Sequence, residues 1–218
     1  MKIGLHRAFH RIYGENNLNG LKNIEHEIDF VELDFQLTKD KKLILHHDEY
    51  DVDDSIISDT EKNLLKVDST KGDVDVNSVL DYIMRETDLK INAEIKDSPL
   101  LDKKFSVDDY IKRFLKYPKD RIFYSSFNSN FIYSLKRKYP DMETGVVFES
   151  SFDLLKFRWD LIDNLHPHWS VVTAKMIETS HRLDKKIITY TVDSKNVFKK
   201  LKELKVDGVI TNYPDKLL

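Results

Sequence analysis

The hydrophobic residues of this chain follow two patterns that take turns along the sequence. From 30 to 37 (FVELDFQL), Val31, Leu33 and Phe35 alternate with polar residues, which is typical of a strand whose successive side chains point to opposite faces. From 76 to 85 the apolar residues recur every three or four positions, which is typical of a helix. The first pattern, or a short apolar run, predicts strands at 2–5, 30–37, 89–96, 121–127, 144–148, 160–165, 186–192 and 208–211, with a short adjoining strand at 42–47. The second pattern predicts helices at 76–85, 107–115, 130–139, 174–183 and 196–204.

The order of these elements indicates a parallel sheet, because a strand followed repeatedly by a helix brings each new strand back in the same direction. Eight such strands in 218 residues predict a compact (β/α)8 barrel, a TIM barrel, as a single domain over residues 1–218. No linker rich in proline or glycine divides the chain. A doubly wound open sheet is the alternative that this order leaves open.

Composition and charge narrow the possible functions. The 35 basic and 38 acidic residues give a net charge of −3, which argues against general nucleic-acid binding. The absence of cysteine excludes disulfides, thiolate metal ligands and a cysteine nucleophile. No apolar run approaches the roughly 18 residues of a membrane span. Because His6 and Arg7 interrupt the first apolar run, we expect no secretory signal and a cytoplasmic location.

Acidic side chains are concentrated on two neighbouring predicted strands. Because side chains alternate along a strand, Glu32 and Asp34 point the same way, as do Glu94 and Lys96. If these faces look into the barrel, three carboxylates converge, and their mutual repulsion is relieved by a divalent cation. Oxygen ligands alone suit Mg²⁺ or Ca²⁺ better than Zn²⁺. The alternative is that these acids lie on the solvent-facing sides of edge strands.

Histidine and arginine residues follow the predicted strands, where a parallel barrel binds its ligands. His6 and Arg7 come directly after the first strand, and His46 and His47 end the adjoining strand. Histidine serves as an acid or a base near neutral pH, and the planar arginine side chain matches a phosphate. Periodicity does not choose between His46 and His47, because adjacent strand residues face opposite sides. The segment 166–168 (HPH) is either a metal-binding histidine pair or a loop where the sixth strand ends, and we predict the loop.

Several segments carry the motifs of one known family. They are a His-Arg pair after the first strand (GLHRA), a Glu-Asn pair (GENN), Glu-x-Asp followed by Thr-Lys-Asp and His-Asp (VELDFQLTKDKKLILHHD), Glu-x-Lys (NAEIK), and two later segments (SSFNSNFIYSLK and TYTVDSKNVFKKLKELKVDGVITNYPDKL). By these motifs the sequence resembles the glycerophosphodiester phosphodiesterase family over nearly its whole length. It departs from the family pattern at Ala8, which replaces a glycine, at Tyr190, which replaces a tryptophan, and at Asp193, which replaces an asparagine. It resembles a compact member of that family, without an inserted domain between the second and third strands.

The resemblance implies a TIM barrel that hydrolyses a small-molecule phosphodiester, such as a glycerophosphodiester, to a phosphomonoester and an alcohol. It implies a divalent metal ion, Mg²⁺ or Ca²⁺, as cofactor. It assigns metal binding to Glu32, Asp34 and Glu94, acid and base catalysis to His6 and His47, and phosphate binding to Arg7 and Lys96. The His-Asp motif thereby selects His47 rather than His46.

Some properties stay open at this point. They are which histidine is the acid, which ion is bound, the alcohol group of the substrate, the oligomeric state, and whether water or the neighbouring glycerol hydroxyl attacks the phosphorus. One alternative function is a phospholipase-D-like lyase that forms a cyclic phosphate from lysophospholipids. It requires an apolar surface, which we do not expect from the mostly polar and acidic loops. Another alternative is a barrel that binds a phosphorylated ligand without turnover.

Overall fold

Eight parallel strands close into a barrel in the part of the chain that the structure, a computed structural model, describes: residues 1–8, 13–24, 27–65, 75–96 and 105–217. The strands are β1 (Lys2–Leu5), β2 (Phe30–Leu37), β3 (Leu43–Leu45), β4 (Lys90–Ile95), β5 (Ile122–Ser126), β6 (Glu143–Phe148), β7 (Asn164–Pro167), β8 (Lys186–Thr189) and β9 (Gly208–Thr211). Around the barrel the order is β1, β2, β4, β5, β6, β7, β8 and β9, and β9 pairs in parallel with β1. This closure confirms the predicted TIM barrel and excludes the open sheet.

The short strand β3 lies outside the ring and extends its carboxyl end. It pairs antiparallel with the last part of β2, with Phe35 opposite Leu45 and Leu37 opposite Leu43. The hairpin returns the chain to the end of β2 that parallel barrels use for ligand binding. Residues 46–48 are therefore delivered to this mouth of the barrel, as the prediction of an adjoining strand required.

Seven α-helices are described between or after the strands. They are α1 (Leu18–Lys22), α2 (Val76–Glu86), α3 (Val107–Ile111), α4 (Ser129–Lys138), α5 (Ala174–Arg182), α6 (Lys195–Glu203) and α7 (Pro214–Leu217). Most begin at a residue whose side-chain oxygen accepts a backbone N–H of the first helical turn: these caps are Asn17, Asp75, Ser106, Asn128 and Thr173. Within the described ranges, we find no helix with both the length and the apolarity to cross a lipid bilayer.

The two faces of β2 have opposite environments. Val31, Leu33 and Phe35 belong to the large hydrophobic cluster that also contains Val79 and Ile83 of α2, so this face packs against the surrounding helices. A smaller cluster fills the amino-terminal end of the barrel interior and contains Phe30, Phe123, Ile188 and Ile210. The alternation that predicted a strand therefore separates a helix-facing apolar side from an interior side on which the polar residues lie.

The register between β2 and β4 positions the acidic residues. Glu32 lies opposite Asn92, and Asp34 lies opposite Glu94. Side chains at paired positions of neighbouring strands point to the same face, so Asp34 and Glu94 are direct neighbours inside the barrel. The next pairing sets Ser125 of β5 beside Glu94.

Three aspartates at the amino-terminal mouth connect neighbouring strands. These strand-start aspartates are Asp29, Asp163 and Asp207, and each directly precedes a strand. Their Oδ2 atoms accept the amide N–H of Ile3, Thr144 and Ile187, each at 2.8 Å. Each aspartate also donates its own amide N–H to the carbonyl of the residue whose N–H it accepts. The carbonyls of Asp29, Asp163 and Asp207 in turn accept the amide N–H of Lys90, Lys186 and Lys2, respectively, on the strand at the other side. The same arrangement thus recurs three times and secures strand starts at this mouth.

The prediction for the sixth barrel strand was wrong in position. Residues 159–161 form a short 3₁₀ turn, and the strand runs over Asn164–Pro167. His166 therefore lies within a strand and is buried, not in a loop. A proline lacks the N–H of a strand ladder and is therefore uncommon inside a strand. Here Pro167 is the last strand residue, and its carbonyl accepts the N–H of Tyr190 and the hydroxyl of Thr189.

Candidate active site

Three carboxylates, two of them buried and one partly buried, meet at the carboxyl-terminal mouth. One oxygen atom each of Glu32, Asp34 and Glu94 lies within 4.8 Å of the other two. Glu32 and Asp34 are each 1% exposed, although both lie in the part of the barrel that binds ligands. We call these three residues the carboxylate cluster. The strand pairing and the period of two together account for the convergence that the sequence predicted.

The carboxylate cluster is electrostatically unbalanced. Burial, and then the neighbouring Asp34 and Glu94, raise the pKa of Glu32 well above its ordinary value. The Glu32 Oε1 atom is buried and has no hydrogen-bond partner. Burial acts in the same direction on Asp34, but the Lys96 and Arg7 cations outweigh it and lower the pKa of Asp34. A buried oxygen without a donor, in an all-oxygen cluster of this size, fits a hard divalent cation.

Two cations border the carboxylate cluster. Lys96 Nζ lies 3.0 Å from Asp34 Oδ1 and donates a short hydrogen bond to Glu94. Arg7 Nε lies 3.4 Å from Asp34 Oδ2, and its guanidinium also donates to Glu15 Oε1 at 2.7 Å. Both predicted phosphate-binding side chains are thus brought to the predicted metal-binding residues, where they hold Asp34 in its ionised form.

A tight left-handed turn after β1 positions His6. Arg7 and Ala8 have φ values of 47° and 52°, a conformation that costs a residue with a Cβ roughly 1–2 kcal/mol. The turn aims the Arg7 amide N–H at Glu32 Oε2, at 3.0 Å, and brings His6 Nε2 to 3.9 Å from the same oxygen. Ala8, fully buried, therefore occupies the position at which the resemblance has a glycine, and its backbone explains that preference.

The structure separates His46 from His47. His46 is buried, and its Nε2 bonds to the carbonyl of Tyr50 at 3.0 Å. His47 is partly exposed, its Nδ1 lies 2.8 Å from Asp48 Oδ1, and its charge contributes to the lowered pKa of Asp34. Of the two, His47 is therefore the partly exposed one whose charge acts on the carboxylate cluster. The Gln36 side-chain amide holds this turn by donating to the carbonyls of both His46 and Asp48.

Sequence reasoning gave no role to several polar residues that support the site. The Asn16 side chain donates to Asp34 Oδ2 and accepts the Asp34 amide N–H, each at 3.0 Å. Asn212, after β9, contacts His6 Nδ1 through its Oδ1 at 2.7 Å. Asp193 in turn accepts from Asn212. Asn16 matches the family motif and Asp193 departs from it, but the motifs do not show which residues these side chains contact.

Aromatic rings form one wall of the mouth. The Phe127 and Tyr190 rings meet edge to face with centroids 6.2 Å apart, and Lys96 Nζ lies 5.9 Å from the centroid of Phe127. The His168 ring lies between Tyr190 and Trp169, at 5.7 and 5.5 Å. Burial is the first cause that raises the pKa of Tyr190, so its hydroxyl stays protonated. The mouth is therefore charged on the side of β2 and β4 and aromatic on the other.

A closed parallel barrel with acids, imidazoles and cations at its carboxyl-terminal mouth has the architecture of a TIM-barrel enzyme. The glycerophosphoryl diester phosphodiesterase family model matches residues 6–216, and the chain belongs to this family. It is accordingly a phosphoric diester hydrolase of the glycerophosphodiester phosphodiesterase type.

Named relatives agree with this assignment. A glycerophosphodiester phosphodiesterase of Bacillus altitudinis is 26% identical in a comparison that covers 99% of this chain and 96% of that protein. Another, from Caldanaerobacter subterraneus, is 26% identical in a comparison that covers 98% of this chain and 94% of that protein. The resemblance seen in the motifs is therefore confirmed.

Solved structures share the fold. A glycerophosphodiester phosphodiesterase from Parabacteroides distasonis superimposes with a TM-score of 0.83 at 19% identity, covering 99% of this chain and 94% of that one. A phosphodiesterase of Oleispira antarctica, in complex with its product sn-glycerol-3-phosphate, gives a TM-score of 0.81 at 20% identity and covers 100% and 95%. The whole barrel is thus common to this chain and to those proteins.

Proposed function

We propose that this protein hydrolyses a glycerophosphodiester, or a related polyol phosphodiester, to a phosphomonoester such as glycerol phosphate and an alcohol. The observation that carries the proposal is the carboxylate cluster, whose Glu32 has a buried oxygen without a donor, bordered by His6, Arg7 and Lys96. The product bound to the Oleispira antarctica phosphodiesterase supports glycerol phosphate as the class of product.

The carboxylate cluster would hold one divalent cation, Mg²⁺ or Ca²⁺, through oxygen ligands. When bound, such an ion polarises a phosphoryl oxygen and offsets the negative charge that develops on it. The protein contributes by holding the three carboxylates in place: Asn16 fixes Asp34 through two hydrogen bonds, and the Arg7 amide N–H fixes Glu32.

Arg7 and Lys96 bind the phosphate in this proposal. Each already lies against Asp34, so neither side chain has to move far to reach a phosphate next to the carboxylate cluster. The Arg7 Nε–H lies 3.4 Å from Asp34 Oδ2 but makes no hydrogen bond, which leaves one donor of the planar guanidinium for a phosphate oxygen. Together the two cations orient the phosphate and stabilise its charge as the transition state forms.

His6 and His47 transfer the protons. One imidazole removes the proton of the attacking water, and the other gives a proton to the oxygen of the departing alcohol. His6 Nε2 lies close to Glu32, and His47 is near enough for its charge to act on Asp34, so the two rings approach the carboxylate cluster from different elements, after β1 and after β3.

The test is an assay of purified protein with Mg²⁺ or Ca²⁺ and glycerophosphocholine, glycerophosphoethanolamine and glycerophosphoglycerol. We expect release of glycerol phosphate, and a loss of at least about 100-fold in kcat in His6→Ala and in His47→Ala. His181→Ala is the matched control, because this exposed histidine pairs with Asp207 at the opposite mouth. Activity on none of these diesters, or full activity in both variants, would contradict the proposal.

A second candidate, the lyase that forms a cyclic phosphate from lysophospholipids, is favoured by one observation. Phe152 and Leu155 are 75% and 86% exposed on the segment after β6, contrary to the polar loops that the sequence led us to expect. Neighbouring residues of that segment line a cavity of about 350 Å³ that includes Phe127 of the aromatic wall. Phosphorus NMR of the reaction with lysophosphatidylcholine separates the two functions, since the lyase leaves a cyclic phosphate as its final product, whereas the hydrolase ends at a phosphomonoester.

A further inference from the structure

Asp193, in the segment between β8 and α6, collects three hydrogen bonds from the end of β9. Its Oδ1 accepts the amide N–H of Asn212 at 2.9 Å and the hydroxyl of Thr211 at 3.2 Å. Its Oδ2 accepts the side-chain N–H of Asn212, from Nδ2, at 2.7 Å. Asn212 and Thr211 are both buried. The carboxylate therefore holds the backbone and the side chain of Asn212 at the same time.

These contacts decide which way the Asn212 amide faces. The oxygen and nitrogen of an amide side chain have nearly the same shape, so neighbours must distinguish them. An ionised carboxylate only accepts hydrogen bonds, and so the Asn212 atom that faces Asp193 is the donor Nδ2. The atom that faces His6 is then the acceptor Oδ1, which lies 2.7 Å from His6 Nδ1.

The orientation of the amide in turn decides where the His6 proton is. Because Asn212 Oδ1 can only accept, His6 Nδ1 must carry a hydrogen. In the neutral ring the lone pair is then on Nε2, the nitrogen that lies 3.9 Å from Glu32 Oε2. The chain of contacts from Asp193 through Asn212 to His6 thus points the proton-accepting nitrogen at the carboxylate cluster.

We propose that Asp193 and Asn212 are positioning residues that hold His6 in its Nδ1–H tautomer, so that Nε2 is the nitrogen that exchanges a proton with the substrate. The catalytic part of this inference rests on the proposed function, whereas the tautomer of His6 does not. The arrangement gives a physical role to Asp193, which departs from the family pattern. The two groups act as a pair, because the carboxylate accepts the hydrogen bond that the amide donates.

Asp193→Asn tests the pair without removing volume. The side-chain N–H of the introduced amide then faces the side-chain N–H of Asn212, and two donors repel. Asn212 relieves this contact by turning its amide, which brings Nδ2 against His6 Nδ1 and favours the opposite tautomer. We expect kcat to fall about 10- to 100-fold with KM changed by less than about threefold, because a misplaced proton impairs transfer more than binding.

The double variant Asp193→Asn/Asn212→Asp reverses the two groups. The amide at position 193 then donates to one oxygen of the carboxylate at position 212, and the other oxygen accepts from His6 Nδ1. We expect kcat to return to within about threefold of the original enzyme, since coupled residues are non-additive. Asp163→Asn is the control, because Asp163 likewise accepts a backbone N–H, a threonine hydroxyl and a side-chain N–H, but at the other mouth.

Nitrogen-15 NMR reads the tautomer independently of turnover. At about pH 9, where an ordinary histidine with a pKa of about 6.5 is neutral, we expect the His6 signals, assigned with His6→Gln, to be those of the Nδ1–H form in the original protein and the double variant, and to change in Asp193→Asn. An Nε2–H ring in the original protein, or Asp193→Asn with unchanged kcat and tautomer, would overturn the inference. If the original protein cleaves no phosphodiester but has the Nδ1–H ring, the proposed function fails and the positioning stands.

Discussion

The barrel places carboxylates at both mouths, but it surrounds them differently. At the amino-terminal mouth each of the three strand-start aspartates accepts the amide N–H of a neighbouring strand at 2.8 Å. At the carboxyl-terminal mouth the three acids of the carboxylate cluster converge within 4.8 Å, and Glu32 Oε1 has no donor at all. The first arrangement provides each carboxylate with a partner, and the second brings like charges together.

The difference indicates what each mouth contributes. A carboxylate that accepts strand N–H groups stabilises the fold, because charge-assisted hydrogen bonds replace those lost to water. Like charges crowded out of water destabilise the fold, as the raised pKa of Glu32 reflects. A parallel barrel that keeps such a cluster at its carboxyl-terminal mouth retains it for ligand chemistry rather than for stability.

The sharpest separation of the two mouths comes from Glu32→Gln. The change keeps the shape of the side chain and removes the buried charge, so we expect kcat on a glycerophosphodiester to fall at least about 1000-fold. The free energy of unfolding, measured in urea, should stay the same or rise, because a destabilising charge is gone. A loss of stability with intact activity would mean that the carboxylate cluster is structural.

A pH experiment concerns the barrel interior between the mouths. Burial lowers the pKa of His166 from 6.5 to about 4, because the interior disfavours the imidazolium. Below pH 6.5 the unfolded chain takes up a proton that the folded chain does not, so the stability that neutral His166 contributes is complete above that pH and is lost toward pH 4.

The measurement compares the original protein with His166→Gln, so that other titrating groups cancel. Between pH 7 and pH 4 the free energy of unfolding of the original protein should fall by up to about 3 kcal/mol more than that of His166→Gln. A difference that does not change with pH would show that His166 is not held neutral by burial.

Adding a divalent cation should stabilise the carboxyl-terminal mouth. A bound ion offsets the repulsion within the carboxylate cluster, and at 100 times its Kd it raises the free energy of unfolding by about 2.7 kcal/mol. We expect the Tm to rise with Mg²⁺ or Ca²⁺ in the original protein and hardly at all in Glu32→Gln. An equal rise in both proteins would locate the ion elsewhere.

The smallest effect is expected at the amino-terminal mouth. Asp207→Ala leaves the amide N–H of Ile187 without its side-chain acceptor and breaks the pair with His181. We expect a loss of about 1–2 kcal/mol in the free energy of unfolding and an unchanged kcat. A clear fall in the kcat of Asp207→Ala would contradict the separate roles of the two mouths and show that they are coupled.

Local regularities of the sequence determined much of the fold and part of the site. The period of two along β2 put Glu32 and Asp34 on one face, and the strand–helix order predicted the barrel, because both depend on backbone geometry within a few residues. The same period left His46 and His47 undecided, and only the turn held by Gln36 separates them. The sequence predicts a loop at 166–168, whereas the place of Pro167 at the end of β7 depends on the strands beside it.

What the tertiary structure alone decided is the meeting of residues from distant parts of the chain. His6 and Asn212 are 206 positions apart and touch only because β9 closes on β1, and Asp193 reaches them from the segment after β8. The sequence registered Asp193 merely as a departure from a motif. Periodicity describes the direction of a side chain on its own strand, but it carries no information on which other strand lies next to it, and that is settled by closure of the ring.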